Sequence, residues 1–517
     1  MYPKTSASIL LLTKDMLRLT SVLLVVQAIL CSSLAQSQSL GHTQSFNTTP
    51  NHLQIPVVQS TKYGKTEPGY VFVNPLNSTA GIVTPCIFTD DGRLVWYSPA
   101  LSFGPLRPQT YQNKTVLTTW IGAVFPQGLG WGFVTVLDNT YTVVHNVTLE
   151  DPSFQTFNHT PYQSYMDFHE SQVTVDGSLL VTALNVTPAD ISSVGGPKAG
   201  FVIDSLFYEI DIATNKVLFS WSGLNHSSQI PLNDSMLPLT STISGNGSSF
   251  AQPWGYFHMN SVAKYGSNYL ISSRMLCTLF LIGPDGNVIW RLSGIDGGDF
   301  RLGMNTHFCY QHDARILHQD SEKLTITLHD NGDTEYDNNT VSRALALDLD
   351  MTTKLVTVNR TLRNPHNPIF AVSQGSYQTL PNGHVLTGHG AFPVIEEFDG
   401  QGNITMTFQF GSAYDTSTYR AYKSPWHPNP VAPPVAVAYT GHGTDVYMSW
   451  NGATDVESWT VYAGSNVTSL AKAISVPNGG FETSVNLAKE FGIVQVEAVR
   501  SNGSTKKSIV VKVTNPP

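Results

Sequence analysis

Charged side chains are scarce in this chain of 517 residues: Asp, Glu, Lys and Arg together make up 13%, about half the usual share. No block of basic residues occurs and the formal net charge is −9, which argues against a nucleic-acid partner. Cysteine is rarer still, at four residues, too few for a disulfide scaffold. Long apolar runs are missing apart from Leu19–Leu30, and that run is short for a bilayer span. In their place stand 41 Gly and 30 Pro, scattered along a chain that is 41% hydrophobic. A large apolar share with so many turn residues predicts many short strands rather than long helices. The length exceeds what one compact core sustains, so more than one domain is expected.

Lys14 and Arg18 lead into the apolar run and Ser33-Leu34-Ala35 follows it. This pattern predicts a signal peptide over 1–35 and a secreted, extracellular protein with no membrane attachment after cleavage. The acceptor pattern Asn-x-Ser/Thr recurs along the rest of the chain, among others at Asn47, Asn113, Asn158, Asn225, Asn338, Asn403 and Asn502. That density predicts a glycosylated surface. With Cys31 removed, Cys86, Cys277 and Cys309 remain. An oxidising compartment then gives one pair and one free thiol. Cys277–Cys309 is favoured because each lies beside a motif described below; three buried thiols is the alternative.

Residues 36–60 are rich in Ser, Gln, Thr and Asn and read as a flexible N-terminal extension. From 61 to 432 a loose repeat appears. Asp91-Gly92 leads into a strand ending at Trp96, Asp285-Gly286 into one ending at Trp290, and Thr214-Asn215 into one ending at Trp221. A second form is a turn followed by an inner strand, as at Asp176-Gly177 and Asn382-Gly383. Paired hairpins of this kind predict the blades of a β-propeller, with an array of β-sandwiches as the alternative. The stretch from Asn225 to Pro253, full of Ser, Asn, Gly and Pro, is expected to form a rim or lid. Residues 433–517 contain short alternating strands and no catalytic cluster. They read as a small β-sandwich of fibronectin III type, an accessory module.

Four segments place His or Arg beside turn-and-strand signals: Asp167–Glu170, Phe257–Val262 followed by Tyr269–Arg274, Tyr310–Arg315, and Leu328–Asp333. Inner strands of a propeller converge on a central channel, so His169, His258, Arg274 and His312 can meet there. Arg is a fixed fork of donors for an oxyanion, and His is nucleophile, acid or base near neutral pH. Sulfate or phosphate esters suit such a set. Metal is the competing use of three His, but an Arg in the set repels a cation, and neither metal nor cofactor is expected. Each residue also has a purely structural reading. Arg274 would pair with Asp313 or Glu170, and His312 would be a hydrogen-bonded core residue. His329-Asp330-Asn331-Gly332 reads as a turn.

These segments, the fourth through Asp330–Gly332 with Ser342-Arg343, resemble in order and spacing the arylsulfotransferase family, in particular its secreted fungal branch. The resemblance spans about residues 65–425 and extends to the C-terminal sandwich. It implies a six-bladed propeller with the site in its channel. It also implies transfer of a sulfuryl group between phenols without a nucleotide donor, through a transiently sulfated His. Carried over by motif, His312 is that nucleophile, His258 and Arg274 bind the sulfuryl group, and His169 assists proton transfer. Aryl sulfates and phenols are the implied small-molecule partners; an association with cell wall or glycans is left open. His389 departs from the pattern, since relatives more often carry Trp there, and so do Cys277 and Cys309. Two other classes fit the composition: a non-catalytic secreted propeller that binds glycans or phenolic ligands, and a quinone-dependent oxidoreductase. The second wants a cation site and a stacking platform that the sequence does not offer.

Overall fold

The computed structural model describes residues 43–50, 53–77, 84–125, 127–239, 245–320, 322–332, 341–413 and 415–517. The expected signal peptide and the acceptor site at Asn338 lie outside them. The fold is all-β. Among the described residues helix is confined to short 3-10 turns such as Ser192–Val194 and Val467–Ser469.

The chain runs through successive antiparallel meanders. One consists of Arg107–Tyr111, Lys114–Phe125, Leu129–Leu137 and Val143–Val147. The next consists of Met166–Val173, Ser178–Ala189, Gly200–Asp211 and Val217–Ser222. Then come Met259–Tyr265 to Val288–Ser293, His312–Gln319 to Leu355–Leu362, and Ser376–Thr379 to Ile404–Gln409. The remaining sheet is built from both ends of this region. Tyr422–Ser424 pairs antiparallel with Tyr70–Val73, which continues into Cys86–Thr89 and Leu94–Tyr97. Gln59–Lys62 likewise adds to the outer edge of the sheet that ends at Gln409. The aromatic strands of the repeat, with Trp96, Trp221 and Trp290, are the outer strands of their meanders. The turns of both forms work as read: Gly177 and Gly286 close theirs at φ +82° and +84°, where a side chain would be strained.

The first strands of the meanders touch one another in order and close a ring. Arg107–Tyr111 contacts Met166–Val173, which contacts Met259–Tyr265, then His312–Gln319, Ser376–Thr379 and Tyr422–Ser424, which returns to Arg107–Tyr111. This is a propeller-like arrangement. Apolar clusters lie between neighbouring sheets, for example Phe207, Trp221, Phe257, Ile271 and Phe280.

A buried ionic network ties the ring together. Glu170 pairs with Arg107 at 3.1 Å, Arg315 at 2.7 Å and Arg420 at 3.1 Å, and accepts from the Val262 N–H at 3.2 Å. Asp313 pairs with Arg315 and Arg420 and accepts from the Tyr377 N–H. Every inner strand of the ring is thereby engaged through a residue on it or next to it. Burial by itself would raise the Glu170 carboxyl, but Arg315, Arg420 and Arg107 outweigh it and hold it at about 2, below the ordinary 4.5. A value lowered on folding stabilises the fold above pH 4.5, and that share is lost as pH falls toward 2. Glu170→Gln is expected to lower stability by roughly 3–5 kcal/mol at neutral pH, because it takes the carboxylate from Arg107 and leaves Arg315 and Arg420 to share Asp313. Denaturant unfolding across pH should show the gap between wild type and variant closing between pH 4.5 and 2. A gap that stays constant would contradict this role.

Of the extension expected to be flexible over 36–60, residues 36–42, 51 and 52 lie outside the described residues, and 43–50 and 53–60 make packing contacts instead. Leu53 and Ile55 belong to a buried cluster with Val71 and Phe408. Thr48 donates from its N–H and its hydroxyl to Glu482, both at 2.7 Å. Polar composition misled here because most of the partners are remote in sequence, with Phe408 and Glu482 lying in later sheets. The C-terminal strands from Val435–Gly441 to Val511–Thr514 form a separate sheet system linked through Val511–Thr514. It docks on the Leu94–Tyr97 edge, where Asn451 bonds both backbone groups of Tyr97 at 3.0 and 3.1 Å. The expected acceptor residues Asn113, Asn158, Asn225, Asn403 and Asn502 are exposed.

Candidate active site

The site residues come from the inner strands and the turns that feed them. Asp167 pairs with Thr182 and Ser171 with Val181, so residues 168–170 bulge out of the ladder. A bulge re-aims side chains; here it frees His169 and Glu170 from the pleat. His258 stands just before Met259–Tyr265 at φ +54°, and Tyr310 and Asp313 flank His312 at +51° and +56°. Non-glycine residues in this region are costly and gather at functional sites.

His169 is buried, with Nδ1 bonded to the Asp167 carboxylate and its ring stacked on Phe168. Asp167 is held in turn by the Gly130 N–H at 2.9 Å and the Thr182 hydroxyl at 3.2 Å. His169 Nε2 meets His258 Nε2 at 3.2 Å, so one proton lies between the two rings. His258 and Arg274 are only partly buried whereas His169 and His312 are enclosed. The open side of the cluster therefore lies at His258 and Arg274.

Arg274 follows the strand Asn268–Ser273. Its backbone N–H donates to the His258 carbonyl at 3.0 Å. Its guanidinium lies 4.8 Å from the Tyr310 ring centroid, donates to the Val372 carbonyl at 3.1 Å, and has a buried Nε with no partner. Neither Asp313 nor Glu170 pairs with it. Both are taken up by Arg315 and Arg420, with Arg107 on Glu170 as well. Among the described residues no carboxylate balances Arg274. A partly buried cation without a counter-ion carries an uncompensated charge and is a ready seat for an anion.

Burial, then the neighbouring His169 and Arg274, hold the His258 ring well below its ordinary value. Burial, then the charge of Arg274, does the same at His312. Both rings are thus neutral well into the acid range. His312 Nδ1 contacts Asn331 Oδ1 at 2.7 Å and its Nε2 accepts the Gln374 N–H at 3.2 Å. Tyr419 stands between the two buried rings, its centroid 5.1 Å from His169 and 6.2 Å from His312.

The four expected residues are thus brought to one place, each linked to the next by contact or by charge. Sequence reading missed Asn331, Gln374 and Tyr419. Asn331 lay in a segment read as a turn, but Lys323–Asp330 is a strand and His329 pairs with His312 across it. His329 is buried and contacts His389 at 3.4 Å, which in turn contacts Glu396 at 3.1 Å. The expected pair Cys277–Cys309 is joined, its Cα atoms 4.5 Å apart. It ties the turn carrying Arg274 to the segment leading into His312. Cys86 is free and buried. The described part of Asn225–Pro253 packs beside this region, with the Met236 N–H donating to the Met275 carbonyl at 2.8 Å.

The model of one known family, arylsulfotransferase (ASST), matches residues 107–411, more than half of the chain and all four site residues. The chain belongs to the arylsulfotransferase family. Its membership points to an arylsulfotransferase-like function, with aryl sulfates and phenols as substrates. No curated protein matches. Solved structures with distant likeness include a protein of unknown function from Bacteroides caccae, at 11% identity, 69% of this chain, 99% of that one and a TM-score of 0.38. A periplasmic gluconolactonase from Pseudomonas aeruginosa follows at 12%, 69%, 99% and 0.33. Likenesses this remote decide neither fold nor activity for this arylsulfotransferase-family chain.

Proposed function

We propose that this protein is a secreted, glycosylated enzyme that moves a sulfuryl group from one phenol to another through sulfated His312, with no nucleotide donor. The observation that carries the reading is Arg274, a cation without a carboxylate partner among the described residues, beside His258 and a neutral His312. We read the ring of inner strands as a six-bladed propeller over 61–432, and residues 433–517 as a fibronectin III-like module.

In the first half-reaction the His312 Nε2 electron pair forms a bond to sulfur as the S–O(aryl) bond breaks. The leaving electrons go to the phenolate oxygen. The proton held between His169 and His258 passes to that oxygen, and the acceptor phenol returns a proton when its own oxygen attacks sulfur. Arg274 and His258 hold the sulfuryl oxygens while charge shifts across them. Asp167 keeps His169 oriented.

Mixing the purified protein with an aryl sulfate and a second phenol, nucleotide absent, tests this. Phenol release together with a sulfated acceptor, and parallel double-reciprocal plots, are expected. Binding of the aryl sulfate with no release would favour the non-catalytic propeller.

A further inference from the structure

We infer that Asn331 is a positioning residue that fixes His312 as the Nδ1–H tautomer, leaving Nε2 as the ring nitrogen with an available electron pair. The inference rests on the reading of His312 as nucleophile. Asn331 Nδ2 donates to the carbonyls of Ala371 and Gln374 at 2.8 and 2.9 Å. Those two bonds use both amide hydrogens and settle which end of the side chain is oxygen. Oδ1 is then the atom 2.7 Å from His312 Nδ1. An amide oxygen only accepts, so Nδ1 carries the hydrogen. The other nitrogen gives the same answer independently: Nε2 accepts the Gln374 N–H at 3.2 Å, which requires a bare lone pair.

The loop that makes these contacts is itself fixed. Gln374 sits at φ +65°, and a Cβ on Gly390 would come within 2.4 Å of the Gln374 carbonyl carbon. The Ala371 N–H donates to the Ser342 hydroxyl at 2.8 Å. Ser342 lies in one of the motifs noted in the sequence, and this contact gives it a task.

An amide at 331 does something a carboxylate would not. The groups facing the His312 ring are Arg274, His169, His258, His329 and Tyr419; Asp313, next in the chain, is taken up by Arg315 and Arg420. An Asp at 331 would set a negative charge against Nδ1 and favour the imidazolium, which has no lone pair to give. Asn orients the ring and leaves it neutral. As the N–S bond forms, Nδ1–H stays on Asn331 while the ring becomes cationic. The charge disappears when the second phenol oxygen takes the sulfuryl group. The Gln374 N–H, released from Nε2 as sulfur arrives, is then free to donate to a sulfuryl oxygen.

The test has two arms on the full-length protein. Nitrogen NMR of histidine-labelled wild type, with His312 assigned from a His312→Gln sample, should show a protonated Nδ1 and a bare Nε2. The opposite tautomer, or a mixture, would overturn the inference. In the second arm, Asn331→Asp should move the acid limb of kcat/KM upward by about one to three pH units. Asn331→Ala should lower kcat about 10–100-fold, as loss of an outer positioning group does, with KM for the donor little changed. An unmoved acid limb in a folded, active Asn331→Asp protein would overturn the inference. If either variant fails to fold, the wild-type spectrum decides. No turnover by wild type, with the Nδ1–H tautomer present, would overturn the sulfuryl-transfer reading and leave the tautomer assignment standing.

Discussion

Replacing His312 by alanine is expected to lower sulfuryl transfer on the order of 10⁴-fold or more, the scale on which enzymes respond to loss of a nucleophile. Both nitrogens of the ring are defined by neighbours, Asn331 on one side and the Gln374 N–H on the other. Alanine also strands Asn331 Oδ1 in a buried setting, at about 1–3 kcal/mol of stability. His312→Gln retains a donor for that oxygen, so it separates chemistry from folding: it should be as inactive as alanine and unfold closer to wild type. The wild-type enzyme should keep its activity well below pH 6.5. His312 and His258 remain neutral there because burial and Arg274 oppose their protonation. Steady-state rates across pH, with denaturant unfolding of wild type and both variants, measure these effects. Substantial turnover by either variant would remove His312 from the mechanism.

Arg274→Ala is expected to raise the barrier by roughly 2–4 kcal/mol, or about 30-fold to 1000-fold in rate. Arg274→Lys should recover little, since a point charge does not reproduce a planar fork on a sulfuryl group. The same substitution should leave the unfolding midpoint unchanged or raise it. Among the described residues Arg274 lacks a carboxylate partner and its Nε is buried without a hydrogen bond, so removing it relieves a partly desolvated charge. Lost activity with retained stability marks a residue kept for function. A variant that loses both would make Arg274 a structural residue. Paired kinetics and thermal unfolding decide between these outcomes.

Much of the fold was legible because its signals are local. Turn glycines such as Gly177 and Gly286 and the alternating strands beside them reveal hairpins without knowledge of distant partners. His169, His258, Arg274 and His312 were legible because each stands in a short motif. What escaped depends on closure of the ring. Tyr419 reaches the site from beside the strand that seals the first sheet, 250 positions after His169. The partners of Glu170 come from three other strands or their approaches. The packing of Phe46 and Thr48 depends on Phe481 and Glu482, and that of Leu53 and Ile55 on Phe408. Asn331 was hidden differently, since His-Asp-Asn-Gly has the composition of a turn while the strand runs on to Asp330. Arg343 pairing with Asp330 at 2.8 Å holds that strand end in place.

The most direct test of the central claim is intact mass spectrometry of the protein, treated to remove any N-linked glycan, after a short pulse of an aryl sulfate such as nitrophenyl sulfate, beside His312→Gln. A gain of one sulfuryl group on the wild type alone, with matching phenol release, is the predicted result. An unmodified wild type that still turns over, or an adduct that persists in His312→Gln, would contradict it.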